Sequence, residues 1–344
     1  MSAVATGVGL AVPGAPSATD LTTRSAEGAA PFDPAARIGK KGLRYLDQAT
    51  RLALCAGRDA LNAAGLLTGD ARLTATGGGA PVVDAELLVP AESVAVVVSS
   101  NFGNLDSVCE VATTIGSDGG TRLLSPVYAP RLSSNVTASE VAIRFGLRGP
   151  NLMMCNGPTS GLDAVHWAMV LLSGDRARHV LVVGAEPAND IVGRLTGHEY
   201  PFDGAAALVL ESPGTAGERG APVLAGLGGY VRTGGLADCV SALGGAPRAW
   251  FAPHQASAEV LPGVLRHRLE DRWGPASGAL GVLQCAAAAG HFADGGEGPV
   301  HAVAGTDADD AVAGLVLTSP DGATPRDGVT VPDAAVTGDE VSRA

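Results

Sequence analysis

The chain is poor in cysteine and aromatic residues and has no long hydrophobic run. Its 344 residues include five cysteines, none in a Cys-x-x-Cys spacing, so neither a zinc site nor a disulfide framework is predicted. No stretch of about 18 residues is free of glycine, proline and charge, and no basic segment precedes the apolar N-terminus. We therefore expect a protein of the reducing cytoplasm, with no membrane association.

Basic residues are also scarce. The chain has 23 lysines and arginines against 35 acidic residues, a net charge of -12, and its longest basic run is Lys40-Lys41. This balance disfavours binding to nucleic acid, which depends on phosphate contacts from basic side chains. What the chain has in quantity is glycine, with 48 residues, and 46% hydrophobic residues. That composition favours close packing of helices on sheets in an α/β protein with a large core.

Apolar runs of strand length alternate with helical patterns in the first half. Residues 93–98 and 179–184 are continuous apolar strands, as expected when helices cover both faces of a sheet. A helical pattern at 161–173 lies between them, and another at 45–64 follows a strand at 4–12 and a loop. The order of these elements predicts a mixed, largely parallel sheet.

The second half is less regular. The proline- and glycine-rich residues 213–220 are predicted to link a first half, 1–212, to a second half, 221–318. Within the second half we expect an alanine-rich helix at 278–289 and strands at 300–304 and 311–317. The acidic segment 319–344 is predicted to be a disordered tail.

The most informative segment is residues 149–165. It opens with Gly149-Pro150 and continues as Cys155-Asn156-Gly157-Pro158-Thr159-Ser160-Gly161-Leu162-Asp163. This segment resembles the nucleophile elbow of β-ketoacyl synthases, above all the ketosynthase subunits of type II polyketide synthases, in which Thr-Gly-Cys-Thr-Ser-Gly-Leu-Asp carries the catalytic cysteine. Aligned without a gap, that cysteine falls on Pro158. Further blocks extend the resemblance over about residues 30 to 212: Phe32-Asp33-Pro34, Ser99-Ser100-Asn101-Phe102-Gly103 and Phe202-Asp203-Gly204-Ala205.

Proline at this position removes the chemistry of a condensing enzyme. Such an enzyme needs a thiol at a helix N-terminus, where the helix dipole favours the thiolate and backbone N–H groups receive the oxyanion. Pro158 has no nucleophilic atom and no N–H, although proline suits the first turn of a helix. The resemblance therefore implies a conserved scaffold without a nucleophile.

The second half departs from the family where its other catalytic residues lie. Residues 274–281 resemble the family's Gly-His-x-x-Gly-Ala-Ala-Gly block, with Pro275 at the histidine. The family's lysine falls on Glu270, and residues 306–311 replace its glycine-rich turn near the C-terminus. His254 matches the second catalytic histidine, either as a vestigial active-site residue or as an ordinary loop histidine. His291 and His301 are predicted in loop or strand-edge positions with no partners for a metal.

The resemblance implies a thiolase-type layered αβαβα fold of two related halves. It also implies the function of a chain-length factor, the non-catalytic subunit of a type II polyketide ketosynthase. Such a subunit forms a heterodimer with a catalytic ketosynthase α subunit, meets the acyl carrier protein through that complex, and uses no cofactor or metal. The resemblance further places Leu105, Val108 and Ala112 on a helix face that crosses the dimer interface and lines the partner's acyl tunnel; core packing is the alternative.

Two other classes of function remain open. An acyltransferase or decarboxylase would use Cys155 or His254, although a free cysteine is most often a small buried apolar residue. A homodimeric pseudoenzyme with a binding role is the other class. Thr159 and Ser160 occur in catalytic relatives as structural residues of the elbow, so we do not expect either to be a new nucleophile.

Overall fold

The computed structural model describes residues 2–74, 82–118, 120–122, 124, 126–254, 256–257 and 259–323. The strands within these ranges are β1 (Ala3–Ala11), β2 (Arg72–Thr74), β3 (Val82–Asp84), β4 (Val94–Ser99), β5 (Asn151–Met154), β6 (His179–Glu186), β7 (Gly204–Glu211), β8 (Ala225–Thr233), β9 (Ala249–Phe251), β10 (Leu265–His267), β11 (Val300–Ala304) and β12 (Val312–Thr318). The helices are α1 (Asp20–Thr23), α2 (Pro34–Ile38), α3 (Gln48–Ala63), α4 (Leu105–Asp118), α5 (Val136–Phe145), α6 (Ser160–Ser173), α7 (Asp190–Thr196), α8 (Pro213–Glu218), α9 (Leu236–Leu243), α10 (Glu270–Trp273), α11 (Leu280–Ala293) and α12 (Pro320–Ala323).

The main sheet repeats one strand order twice. Its ten strands lie in the order β10-β9-β11-β12-β8-β1-β7-β6-β4-β5. Outwards from the centre, the first half has the order β1, β7, β6, β4, β5, and the second half has the order β8, β12, β11, β9, β10. Counted along the chain within each half, both orders are first, fifth, fourth, second and third strand. The two first strands, β1 and β8, pair antiparallel and join the halves. The shared order supports the prediction of two related halves, and we propose 1–212 and 221–318 as their bounds.

The prediction of a largely parallel sheet is wrong. Five of the nine neighbouring pairs in the main sheet are antiparallel, including both pairs made by β7 and both made by β12. In each half the fifth strand follows the fourth without a helix that crosses back over the sheet. The chain therefore reverses direction, as antiparallel neighbours require.

Helices separate and cover the two five-stranded halves in layers. The helices α6 and α11 lie between the halves and share one hydrophobic core with the inner faces of both. A second core lies under α3 and α5 on the outer face of the first half, and a smaller third core lies under α9 on the second. This is the layered α/β arrangement that the sequence predicts.

Residues of β6 explain why its sequence is continuously apolar. Val180 and Val182 belong to the central core, whereas Leu181 and Val183 belong to the outer core. Successive side chains of a strand point to opposite faces, so a strand covered on both faces must be apolar at every position.

The central helices approach most closely where each carries a glycine. A Cβ built on Gly161 of α6 would lie 2.6 Å from the backbone nitrogen of Gly281 in α11, and one built on Gly281 would lie 2.2 Å from the nitrogen of Leu162. Backbone atoms cannot move aside as a flexible side chain can. The crossing of α6 and α11 therefore requires glycine at both positions.

Three segments differ from their predictions. Residues 213–220, predicted as a linker, contain α8, whose first turn is capped by the Ser212 hydroxyl accepting from the Thr215 N–H at 3.0 Å. Of the predicted tail, residues 320–323 form α12, and 324–344 lie outside the described residues. The helix predicted at 45–64 begins later, as α3, because Asp47 caps it by accepting from the Thr50 N–H at 2.7 Å.

In the part of the chain that is described, no helix is both long and apolar enough to cross a membrane.

The glycine contact leads to a stability prediction. Gly161→Ala should lower the free energy of unfolding by about 3 kcal/mol, since the new methyl group overlaps the backbone of α11. Urea denaturation followed by circular dichroism would measure the change. Gly217→Ala is the matched control, because a Cβ there meets no atom within 4 Å in α8. Equal stability of the two variants would contradict the described crossing.

Candidate functional site

The elbow predicted from the sequence is a turn that leads directly into α6. Gly157, Pro158 and Thr159 form a single 3-10 turn, and α6 begins at Ser160. Gly157 has a positive φ of 82°, which glycine adopts without strain. Pro158 therefore occupies the first turn at the head of a central helix, where a fixed φ and a missing N–H are tolerated.

Asn101, in the loop after β4, connects the elbow with the second half. Its Nδ2 donates to the Gly157 carbonyl at 2.9 Å and to the Ser277 Oγ at 2.8 Å. Its Oδ1 accepts from the Gly157 N–H at 3.2 Å and from the Ser160 hydroxyl at 3.1 Å. One amide group thus fixes the turn and the start of α11 relative to each other.

Asp163 stabilises the first turn of α6 from the other side. Its carboxylate accepts hydrogen bonds from the Thr159 hydroxyl at 2.8 Å, from the Asn156 amide and from the Tyr230 hydroxyl of β8. Burial, together with this carboxylate, raises the pKa of Tyr230. Thr159 therefore has a structural hydrogen bond, in line with its predicted structural role in the elbow.

Glu186, at the end of β6, is a buried carboxylate that accepts from four donors. Oε1 accepts from the backbone N–H groups of Asn101 at 2.7 Å and Gly278 at 3.0 Å. Oε2 accepts from the Phe102 N–H at 3.0 Å and the Ser100 hydroxyl at 3.1 Å. Desolvation raises the pKa of Glu186 to about 7, although the four hydrogen bonds act in the opposite direction. This side chain joins the loop after β4 to the start of α11.

The predicted residues of the second half lie across from the elbow. Glu270 is largely buried, and its carboxylate accepts from the Ala276 N–H at 2.9 Å and the His254 N–H at 3.3 Å. Desolvation raises the pKa of Glu270. The His254 ring is exposed and its Nδ1 lies 2.7 Å from Asp271. Pro275 accepts at its carbonyl from the Phe202 N–H at 3.1 Å.

These residues surround one cavity of about 340 Å³. Pro158, His254, Glu270 and Pro275 all line it, together with Glu186. The segment predicted to replace the family's glycine-rich turn also lines it, through Thr306, Ala308 and Asp309. Sequence positions more than 100 residues apart therefore meet at one cavity. No cysteine is among the described residues that line it.

Cys155 does not lie in the buried position predicted for it. It follows the edge strand β5 and is exposed. Partial desolvation of the thiol raises its pKa, and a hydrogen bond with Ser134 offsets this only in part. Because the thiolate is the nucleophilic form, a raised pKa disfavours catalysis by Cys155 at neutral pH.

The face formed by Leu105, Val108 and Ala112 on α4 does not line the cavity. Val108 is 39% exposed and Ala112 is exposed, whereas Ser107 and Val111 form the buried side of α4. Core packing, the alternative reading of this face, therefore does not describe Val108 or Ala112. Ile115, one turn further on, is 40% exposed and extends the apolar stripe.

Two histidines lie in other contexts than predicted. His291 is in α11 rather than a loop, and His301 is buried in β11, which has a neighbouring strand on each side. Within the described ranges, no group of three or more His, Cys, Asp and Glu side chains could hold a metal ion.

Sequence reasoning missed the roles of Asn101, Asp163 and Glu186. Asn101 and Asp163 lie in segments quoted above, but each has a partner in the second half, Ser277 for Asn101 and Tyr230 for Asp163. Glu186 carries a signal that could have been used, since it is an acidic residue at the end of a fully buried strand. A buried carboxylate requires hydrogen-bond donors or a positive charge nearby.

Comparison with known families identifies the chain. The family described as β-ketoacyl synthase, N-terminal domain, matches residues 12–195, which is more than half of the chain. The chain belongs to the β-ketoacyl synthase family.

Curated relatives of this family are named as condensing enzymes. The chain is 28% identical to 3-oxoacyl-[acyl-carrier-protein] synthase 2 of Vibrio harveyi over 243 residues, 63% of the chain and 54% of that protein. It is 30% identical to the Streptomyces violaceoruber protein named as granaticin polyketide β-ketoacyl synthase 1 over 235 residues, 58% of the chain and 50% of that protein. The chain thus spans about half the length of the curated relatives it matches.

Solved structures agree with the fold over most of the chain. The ishigamide ketosynthase/chain length factor matches with a TM-score of 0.72 at 20% identity, covering 93% of this chain and 99% of that one. The ketosynthase in the complex AntDE:AntF, with a type II polyketide synthase acyl carrier protein, matches with a TM-score of 0.71 at 17% identity, covering 92% and 99%. These likenesses establish the thiolase-like ketosynthase fold.

The buried carboxyl of Glu186 leads to a prediction on pH dependence. Its pKa rises on folding from 4.5 to about 7, so the folded state binds the proton more tightly and stability decreases as pH rises through this range. Between about pH 5 and about pH 8, the free energy of unfolding should therefore decrease. We expect the titration of Glu186 to account for about 2 kcal/mol of that decrease. Glu186→Gln should remove that part, as measured by urea denaturation at several pH values.

The control for this prediction is Glu218→Gln, which removes an exposed carboxylate paired with Arg178. This variant should keep the pH dependence of the unaltered chain. Parallel pH profiles for the unaltered chain and Glu186→Gln would show that Glu186 does not titrate in this range.

Proposed function

We propose that the chain is a chain-length-factor subunit of a type II polyketide ketosynthase. It would pair with a catalytic ketosynthase α subunit in the cytoplasm and meet the acyl carrier protein through that complex. The observation that carries the proposal is Pro158 at the head of α6, in a turn whose supporting hydrogen bonds from Asn101 and Asp163 are intact. The scaffold of a condensing site is present without its nucleophile.

The other residues of the cavity support the same conclusion. Pro275 and Glu270 stand where the alignment places a catalytic histidine and a lysine, and neither can take over that role. Pro275 has no ring nitrogen that exchanges a proton, and a carboxylate has the opposite charge to lysine. Restoring a thiol alone, by Pro158→Cys, would therefore leave the site incomplete.

The exposed surface of the first half supports pairing with a second chain. β5 is the last strand of the sheet, so one of its edges makes no pairing within the described part of the chain. On α6, which packs against β5, Trp167 is 46% exposed, and α4 carries the exposed apolar side chains of Val108 and Ile115. An unpaired edge beside exposed large apolar side chains is typical of a protein interface.

The names of similar proteins are consistent with this assignment. One similar structure is named as a ketosynthase/chain length factor, another is a ketosynthase in complex with a type II polyketide synthase acyl carrier protein, and one relative is named for granaticin polyketide synthesis. We infer the same kind of complex for this chain.

The test of the proposed function is purification of the tagged full chain from its native host with intact-mass identification of its companions. A cysteine-bearing ketosynthase recovered in equal amount is the expected result. Recovery of the chain as a homodimer would favour the pseudoenzyme alternative. An acyl group on the chain, lost in Cys155→Ala, would favour an acyltransferase.

A substitution on α4 tests where the partner binds. Val108→Asp should reduce recovery of the ketosynthase at least about tenfold, because a carboxylate would be buried without a partner at the interface. Leu265→Asp is the matched control, since Leu265 is an exposed apolar residue on β10 at the opposite end of the sheet. Loss of the partner in both variants, or in neither, would argue against α4 as the interface.

A second substitution on the same helix tests the acyl tunnel. Ala112 is small and exposed on the proposed tunnel face, so Ala112→Phe should shorten the polyketide made by the complex by filling that space. Mass spectrometry of the product would measure the chain length. Thr113→Phe adds the same ring at the next, also exposed, position and should leave the product unchanged. An unchanged product from Ala112→Phe would exclude this face from the tunnel.

A further inference from the structure

The cavity at the degenerate site is poor in hydrogen-bond donors. Five of the residues that line it are prolines, which have no backbone N–H to offer a ligand: Pro158, Pro187, Pro201, Pro253 and Pro275. They come from both halves of the chain, so the property belongs to the cavity as a whole rather than to one loop.

The backbone N–H groups at several other lining positions are already used. The Phe102 N–H donates to Glu186, and the Phe202 N–H donates to the Pro275 carbonyl. The Thr306 N–H donates to Asp309 at 2.8 Å, and the Ala308 N–H donates to the Thr306 hydroxyl at 3.3 Å. Among the side chains, the Thr306 hydroxyl also donates to Asp309, at 2.8 Å. The side-chain donors left for a ligand are the Ser277 hydroxyl and the rings of His198 and His254, of which His254 already lies against Asp271.

Carboxyl groups are abundant in the same space. Three carboxyl groups line the cavity, those of Glu186, Glu270 and Asp309, and no lysine or arginine is among the described lining residues. The two oxygens of Glu186 each accept two hydrogen bonds and are saturated. Each oxygen of Glu270 accepts one, from Ala276 and from His254, which leaves a lone pair on each.

Apolar side chains form the rest of the wall. Phe102, Val192, Phe202 and Leu280 face the cavity between the carboxyl groups. A larger opening of about 920 Å³ shares Phe202, Glu270 and Pro275 with the cavity, and so gives a route from the surface. A pocket with an apolar wall and a few convergent polar groups is the usual form of a small-molecule site.

We propose that this cavity binds a small aliphatic ammonium group, with the carboxylate of Glu270 as its main partner. An ammonium group has three donors and no acceptor, which complements a site that has acceptors and few donors. A carboxylate or a phosphate would meet like charge and unpaired oxygen atoms. The proposal goes beyond the role of a chain-length factor, which requires no small ligand at this site.

The probes for the test are n-hexylammonium and hexanoate, which have the same hydrocarbon tail and opposite charge. Isothermal titration calorimetry of the full chain, in the assembly in which it purifies, should give saturable binding of n-hexylammonium and binding of hexanoate at least about tenfold weaker. Glu270→Gln should weaken n-hexylammonium about tenfold or more, the effect of losing one charge-assisted hydrogen bond. A partner subunit contributes equally to the titrations of the unaltered chain and of Glu270→Gln with the same probe, so the difference between those two titrations belongs to this chain.

A second variant and a control separate binding from folding. Asp309→Asn removes charge from the opposite wall and should also weaken n-hexylammonium, whereas Glu218→Gln on the exposed surface should not. Each variant is used only if it unfolds cooperatively, and Asp309→Asn keeps the test valid if Glu270→Gln does not fold. Equal or tighter binding of hexanoate, no binding of either probe, or unchanged binding in both variants would overturn the proposal. The comparison of each variant with the unaltered chain does not depend on whether a ketosynthase copurifies.

Discussion

The close contact between α6 and α11 determines where everything else in the site lies. Because Gly161 and Gly281 have no side chains, the two helices meet backbone to backbone within their first turns. Their N-terminal ends therefore come together, one carrying Pro158 and the other following Pro275. A larger residue at the crossing would separate these ends and open the cavity between them. The site is thus a consequence of helix packing in the core.

This chain keeps the hydrogen bonds that support the elbow but has proline where a condensing enzyme has its cysteine. Asn101 and Glu186 still join the elbow, the loop after β4 and the start of α11. None of their hydrogen bonds depends on a nucleophile, so Pro158 is accommodated without loss of the turn. A protein that must present the shape of a ketosynthase to a partner needs this support and does not need the thiol. This separation explains how a folded elbow can persist with proline at position 158.

Much of the first half could be predicted from sequence because burial on two faces leaves a clear pattern. The strands β4 and β6 are apolar at nearly every position, and α6 begins at Ser160 directly after Pro158 and Thr159, residue types that suit a helix start. Strand direction could not be predicted, since a buried strand such as β7 has the same composition whether its neighbours are parallel or antiparallel. β9 and β10 have three residues each, too few for any periodicity.

The candidate site was predictable only where residues carry a motif. Pro158 and Pro275 were located by alignment, whereas the contact between Glu186 and Gly278 joins residues 92 positions apart. The exposure of Cys155 depends on β5 being the last strand of the sheet. Strand order cannot be inferred from any local segment of the sequence.

The two edge strands of the ten-stranded sheet, β10 and β5, differ in how readily they would pair with a strand of another chain. The β10 end has only three residues, with Arg266 in the middle, and short or charged edges resist pairing with another chain. The β5 end is apolar and flanked by exposed side chains. If a second ketosynthase-like chain adds its own β5 there, the extended sheet has a β10 edge at both ends. Such an assembly would present only short edges with a central arginine, so the addition of further strands beyond two subunits is disfavoured.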